Sequence, residues 1–370
     1  MIRTLTIENF RCFEQFELHD LGRVNLLVGG NNSGKTSVLE AVELVTANGY
    51  PFALNACLAR RGQISYSPEL RRDTYRLDVR RLFHGHRVIL GSHLRVTALT
   101  DENEKPLRFT ASLVEANEDE LEWLGATSDQ FDHPYSFEMF WGTRPELTSR
   151  AALLSQGLVP AHKLHTSGRW TEALPRSTVF LPPDSLDSEV VTASFEKIVL
   201  TTKEDLVLDL LRVIEPKIER IATQRINGES GHGSKAEHRG GVLLRLSDSD
   251  ERIPLGSMGD GVWRLLGLAL CLARAENGVL LVDEIDTGLH YSVMEKMWKL
   301  VTETAKRLNI QVFATTHSRD CVESLASVCR ESVTENSEVT IQRVERGKKR
   351  SVAYTEREIV IAAEHGMEVR

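Results

Sequence analysis

Three short, nearly unbroken apolar runs punctuate this chain: Val24 to Val28, Val279 to Val282 and Ile310 to Thr315. Each has strand length and little polar alternation, the pattern of a buried strand. Elsewhere the period is helical. Val38, Val42 and Val45 recur three and four apart, Val262 to Ala273 reads as an almost wholly apolar helix, and Val293, Met297, Leu300 and Val301 mark another. Thr201 to Thr223 reads as one mainly apolar helix through Leu206, Leu208, Leu210, Leu211, Val213, Ile214 and Ile218, with Pro216 interrupting it. Short strands are expected at Ile2 to Ile7 and Gln15 to Leu18, around a turn holding Asn9 and Arg11, and at Gly240 to Arg245. Val88 to Thr97 and Leu107 to Leu113 alternate as strands do, and a late hairpin pairs Val339 to Val344 with Ser351 to Tyr354 around the basic tip Arg346 to Arg350, before a final helix. Glu115 to Glu122 reads as a solvated acidic turn, and Asn227 to Gly241 as a glycine-rich connection between strands. Residues from about Asp132 to Pro175 hold Trp141 and Trp170 in no regular pattern and are placed in an inserted lobe.

The chemistry gathers where strands end. Val24 to Val28 runs into a stretch in which Gly29, Gly34, Lys35 and Thr36 satisfy G-x-x-x-x-G-K-[ST], with a helix directly after it. This is a P-loop in its proper setting. Its glycines allow a tight turn whose N–H groups, with those of the helix N-terminus, face a phosphate. Asn31, Asn32, Ser33 and Ser37 line the same turn and belong to the expected nucleotide cradle, with Lys35 reaching the β- and γ-phosphates and Thr36 a magnesium ion. A glycine-rich turn that merely contains GKT is the alternative, and the flanking strand and helix argue against it.

Further along, Ser257-Met258-Gly259-Asp260-Gly261 precedes the apolar helix. A serine, two glycines and a helix start make an anion-binding end, although Ser and Asp are also ordinary helix caps. The run Val279 to Val282 ends in Asp283 and Glu284, two adjacent carboxylates placed to hold magnesium and to polarise an attacking water. Asp286, Thr287, Gly288, Leu289 and His290 form a polar loop just beyond. The third run ends in Thr315-Thr316-His317-Ser318, where a histidine can reach a γ-phosphate.

Composition narrows the class. With 370 residues and 41% hydrophobic content, the chain can bury one large α/β domain or two modest ones. No apolar run approaches a membrane span and the opening MIRTLTIENF lacks a signal-peptide core, so a cytoplasmic protein is expected, with no membrane partner. Five cysteines, Cys12, Cys57, Cys271, Cys321 and Cys329, form no CxxC pair and are expected to be reduced. A net charge of −8 argues against a surface that is basic all round. The most basic segment, Leu58 to Arg87, carries Arg60, Arg61, Arg71, Arg72, Arg76, Arg80, Arg81 and Arg87. It fits either a phosphate-contacting surface for DNA or an arm that pairs with acidic surface of the same chain. Asp248 and Asp250 are read as solvated turn residues.

Taken in order, the P-loop, SMGDG, VDE, DTGLH and TTHS resemble the Walker A, signature, Walker B, D-loop and H-loop of ABC-type ATPases, and IENFRCFEQFEL, DEIDTGLHYS and ATTHS are similar to stand-alone members of the RecF/SMC/OLD-like group. The resemblance implies an α/β P-loop NTPase fold of ABC type, with a mixed central sheet, flanking helices and an inserted, mainly helical lobe. The head is expected in residues 1–97 and 240–370 and the lobe in 98–239. It further implies ATP and Mg²⁺ as cofactors, Glu284, His317 and Lys35 in catalysis, Thr36 and Asp283 on the metal, and Gln63, on position alone, as a candidate for the glutamine that senses the magnesium and the γ-phosphate. Ser257, Gly259 and Asp286 would complete the nucleotide site of a facing head. A homodimer or higher oligomer built on sandwiched ATP follows. The signature departs from the LSGGQ form of transporters, and no heptad run marks a coiled-coil arm. About 50 residues after His317 are too few for a Toprim nuclease domain, so any nuclease-like effector is expected to be a separate protein. Three functions follow from the resemblance: a slow ATPase switch for DNA repair or for defence against phage and plasmids, an ATP-dependent DNA or protein clamp, and, matching less well, a transporter subunit.

Overall fold

A computed structural model describes residues 1–47, 52–66, 75–87, 89–101, 106–118, 135–142, 148–153, 157–161, 164–167, 177–224, 241–331, 338–367 and 369. The acidic residues 119–122, Trp170, Arg71, Arg72 and most of the glycine-rich connection lie outside them. The chain divides into two compact units: residues 1–21, 31–176 and 344–353 form one, and residues 22–30, 177–343 and 354–370 the other.

The first unit is built on antiparallel strands. β1 (Ile2–Phe10) and β2 (Phe13–Leu18) form a hairpin, and β1 also pairs with β6 (His93–Thr100). The sheet continues through β7 (Leu107–Glu115), β8 (Tyr135–Trp141), β9 (Thr148–Ala152) and β11 (His165–Ser167). Alternation explains it. Leu94, Val96 and Ala98, then Phe109, Ala111 and Leu113, then Phe137, Met139 and Trp141 are buried at every second position, as a sheet with one face on a core requires. Helix α1 (Lys35–Thr46) is tied to that sheet where the Trp141 indole N–H donates to the Leu44 carbonyl at 2.9 Å. Helix α2 (Phe52–Arg60) leads to a small sheet of β4 (Ile64–Tyr66), β5 (Tyr75–Asp78) and β10 (Leu158–Pro160).

The expectation of a mainly helical insert does not hold. Described residues from Ala98 to Ser167 lie mostly in strands, because Leu107–Glu115 alternates in burial and Tyr135–Trp141 is rich in aromatic residues, which suit a pleated, half-buried surface. Among the described residues the helices α3 (Ser188–Glu196) and α4 (Thr202–Arg212) follow in the second unit. The single helix expected over Thr201 to Thr223 also stops early. It ends at Arg212, before Pro216, which has no N–H to continue the ladder, and Ile218–Thr223 is strand β13.

In the second unit β12 (Thr178–Leu181), β16 (Val279–Val282), β17 (Gln311–Thr315), β3 (Val24–Val28) and β18 (Val339–Arg343) lie side by side, every pair parallel. Every residue of β3, β16 and β17 is buried. That is the reason for their unbroken apolar runs: a parallel sheet is covered on both faces. Helix α5 (Asp260–Arg274) buries Val262 through Ala273 in the main core, joined by α6 (Tyr291–Arg307), α7 (Arg319–Glu331) and α8 (Glu356–Glu364). A smaller antiparallel set holds β13, β14 (Val242–Leu246) and β15 (Ile253–Pro254). Strand β19 (Val352–Thr355) carries residues of both units. Among the described residues no helix is long and apolar enough to cross a membrane.

Candidate functional site

Gly29 follows β3 with φ 141°, and Gly34 caps α1 with φ 110°. Both values lie where a side chain is strained, and at Gly34 space forbids one as well: a Cβ there would collide with the Phe13 ring and stand 2.8 Å from the Cys12 Sγ. The hairpin turn thus shapes the P-loop. Asn31 and Asn32 are exposed, Asn32 with φ 58°. Ser33, Lys35 and Ser37 are buried and Thr36 is half-buried. The Ser33 hydroxyl oxygen is buried without a hydrogen-bond partner among the described residues. A native protein seldom leaves such an atom unsatisfied, and at the mouth of a helix N-terminus the missing partner fits a phosphate oxygen.

Behind the P-loop, α1 is gripped by arginines. Arg11, at φ 55° in the hairpin turn, donates from Nε to Glu40 Oε2 at 3.0 Å, from Nη1 to Gln63 Oε1 at 2.8 Å and to the Arg81 carbonyl at 3.2 Å, and from Nη2 to Cys57 Sγ at 3.3 Å. Arg61 Nε donates to the other Glu40 oxygen at 2.7 Å, and Arg60 pairs with Glu43. Burial pushes the Glu43 carboxyl up despite Arg60 beside it. Arg80 pairs with Asp78 at 2.8 Å. Three arginines of the basic segment therefore hold carboxylates of the same unit, the paired-arm arrangement. Gln63 is half-buried, with its side-chain oxygen engaged by Arg11.

The second unit assembles the other motifs. Asp283 ends β16, and its Oδ1 accepts from the Thr315 hydroxyl at 2.7 Å. That hydroxyl also accepts from the Glu284 N–H at 2.8 Å, and Glu284 sits at φ 50°. His317 Nδ1 lies 2.6 Å from Glu284 Oε2, so the adjacent parallel strands β16 and β17 deliver a carboxylate and an imidazole to one point. The Thr316 hydroxyl donates to Asp286 Oδ1 at 2.6 Å. Ser257, in the turn Leu255–Met258 before α5, is exposed and donates its hydroxyl to the Pro254 carbonyl at 2.6 Å. Gly259, at φ 93°, has open space where a Cβ would stand. A Cβ at Gly261 would approach the Gly288 carbonyl to 2.8 Å, so the start of α5 packs directly on the loop after Glu284. Asp248 pairs with Lys217 at 2.6 Å on the surface, in keeping with a solvated turn.

One residue escaped the sequence reading. Arg264, in α5, is buried and donates to the carbonyls of Pro182 at 2.5 Å, Asp283 at 2.7 Å and Glu284 at 2.8 Å. The available signal was a lone charge between Asp260 and Arg274 in an apolar helix.

A family model described as "AAA ATPase domain" matches residues 1–104 and 184–322, well over half of the chain. The chain belongs to that family. It is a nucleotide-binding, ATP-hydrolysing enzyme, and its resemblance to the RecF/SMC/OLD-like ATPases stands. An ATP/GTP phosphatase of Helicobacter pylori is 22% identical over 347 residues, covering 90% of this ATPase and 89% of the relative. The DNA replication and repair protein RecF of Nitrosococcus oceani is 24% identical over 362 residues, covering 88% and 93%. Among solved structures, an Smc head domain with an extended coiled coil, bound to the C-terminal domain of ScpA and derived from Pyrococcus furiosus, aligns over 98% of both chains at 11% identity and a TM-score of 0.47.

Proposed function

We propose that this ATPase is a switch subunit: it closes as a homodimer around ATP and Mg²⁺, hydrolyses the nucleotide slowly, and thereby controls a separate DNA-directed effector in repair or in defence against mobile DNA. The observation that carries the reading is the Glu284–His317 pair at the ends of two neighbouring strands. With its Nδ1 protonated, His317 donates to Oε2 and leaves Oε1 to take a proton from water. As that proton moves, the water oxygen bonds to the γ-phosphorus, the bond to the β–γ bridging oxygen breaks, and ADP and phosphate result.

Lys35, Thr36 and the turn from Gly29 to Ser37 hold the phosphates in this reading. Magnesium keeps waters and phosphate oxygens as ligands and needs only one or two protein side chains. Thr36 and Asp283 would hold it, and when bound it would neutralise charge on the phosphate oxygens. Ser257 and Gly259 are exposed, as they would need to be to cover a γ-phosphate on a facing head. The DNA-directed role draws support from the likeness to RecF.

The test is the solution mass of wild-type and Glu284→Gln protein, with and without ATP and magnesium. Glu284→Gln is expected to retain ATP and gain or tighten a nucleotide-dependent dimer. ATP bound with no change of mass in either protein would refute the sandwich.

A further inference from the structure

Arg264 is 2% exposed, and among the described residues its guanidinium meets no carboxylate. Among the described residues its partners are backbone carbonyls, and its Nε has none. Burying a cation in this way is costly. Desolvation draws its pKa down to about 10, opposed in part by the nearby carboxylates of Asp283, Asp286 and Glu284, so it remains charged at neutral pH. A hydrophobic residue would fill the same space in an otherwise apolar helix at no such cost, so the carbonyls it binds should explain its presence.

Those carbonyls bracket Glu284. In the peptide group joining Asp283 to Glu284, the C=O accepts from Arg264 and the N–H donates to the Thr315 hydroxyl. In the next peptide group, the Glu284 C=O accepts from Arg264 and the Ile285 N–H donates to the Thr315 carbonyl at 3.0 Å. Both peptide planes around the Glu284 Cα are therefore held at both edges, by Arg264 on one side and Thr315 on the other. Glu284 needs such a clamp, because a non-glycine residue at φ 50° persists only where its surroundings over-determine it. Released, its backbone would favour negative φ and carry the carboxylate away from His317.

We propose that Arg264 is a positioning residue for Glu284 that ties the aim of the carboxylate to the placement of helix α5. The helix that Ser257 to Gly259 precede touches the loop twice, through Arg264 and through the close approach of Gly261 to Gly288. A γ-phosphate pressing on Ser257 thus acts on the element that fixes the base of the same head. This inference rests on Glu284 being the base, and the test separates the two.

The full chain is prepared as wild type, Arg264→Met, Arg264→Lys and Glu284→Gln, with melting temperature, affinity for ATP and steady-state hydrolysis measured on each. Arg264→Met is expected to lower kcat about 10²-fold, the order of loss for a reacting group displaced by an ångström. KM and ATP affinity should stay within about threefold of wild type, since the phosphate-binding residues are untouched. Lysine keeps the charge but not the planar fork, so Arg264→Lys should fall between. A folded Arg264→Met protein with wild-type kcat, or one that loses affinity as much as rate, overturns the proposal. Should Arg264→Met not fold, Arg264→Lys decides by the same split of kcat from KM. Wild-type turnover in Glu284→Gln would instead remove the base, whatever Arg264 does.

Discussion

Glu40 is the acid around which the P-loop helix is anchored, and removing it tests the packing of the first unit. Its side chain is 1% exposed and meets two guanidinium groups, Arg11 at 7% exposure and Arg61 at 37%. Glu40→Ala leaves Arg11 buried with only neutral acceptors, Gln63, Cys57 and the Arg81 carbonyl. Breaking a buried pair from one side costs about 3–5 kcal/mol. Arg61→Met, by contrast, removes a partner that is partly solvated and leaves the buried Arg11–Glu40 pair intact, so about 1 kcal/mol or less is expected. Hydrogen exchange followed by mass spectrometry on the peptide covering Lys35–Thr46 reads both locally. Glu40→Ala should speed exchange there by about two to three and a half orders of magnitude, and Arg61→Met by less than about tenfold. Equal effects from the two variants, or a Glu40→Ala effect under tenfold, would refute the claim that burial of the Arg11–Glu40 pair holds α1.

Two further outcomes follow from the same structure. Ser33→Ala deletes a hydroxyl that has no partner among the described residues, so the ligand-free protein should melt at the same temperature or slightly higher, while ATP affinity measured by titration falls about tenfold or more, the order for a hydrogen bond to a charged group. Burial pushes the thiols of Cys57, Cys271 and Cys329 from 9.0 up to about 12, and raises Cys321 as well. Alkylation at pH 8 should therefore label exposed Cys12 first, slowed because partial burial raises it too, and all five only in denaturant. The stability linked to the buried thiols is fully present below about pH 9 and is lost as pH rises towards 12, because there the unfolded chain releases protons that the folded chain keeps; chemical denaturation across that range measures the slope.

The motif residues were legible because their chemistry demands fixed residue types at the ends of buried strands, and a parallel sheet writes those strands as unbroken apolar runs. The sequence placed Glu284 and His317 each just beyond a buried strand; that they meet follows from β16 and β17 being neighbours, which the order along the chain does not state. Arg264 was not legible in the same way: its partners are carbonyl oxygens, which every residue carries, so no spacing announces them. The strands of the first unit were obscured for a different reason. In Tyr135–Trp141 the residues Phe137, Met139 and Trp141 are buried at alternate positions, but Phe140 is an aromatic at a position between them and blurs the period. Helical spacing in Thr201 to Thr223 persisted past the true end at Arg212 because Ile214 and Ile218 continue it by coincidence, one after the helix and one inside a strand.

The partners of the acids separate structural carboxylates from those free to do chemistry. Glu40 and Glu43 are gripped by guanidinium groups, which hold a carboxylate by neutralising it. Asp283 and Asp286 are oriented by the hydroxyls of Thr315 and Thr316, donors that turn a carboxylate without cancelling its charge. Arg264 lies close behind the same cluster, yet it spends its donors on the carbonyls of Asp283 and Glu284 and leaves their carboxylates alone. An arginine aimed at the Glu284 carboxylate itself would have been the cheaper way to bury a cation, and under the proposed mechanism it would have quenched the base. Binding the backbone instead holds the peptide groups on either side of Glu284 and leaves its carboxylate to other partners. The arrangement sacrifices stability in the second unit to hold the backbone of Glu284 in place, whereas the first unit uses its arginines in the opposite way, to anchor the helix that the P-loop begins.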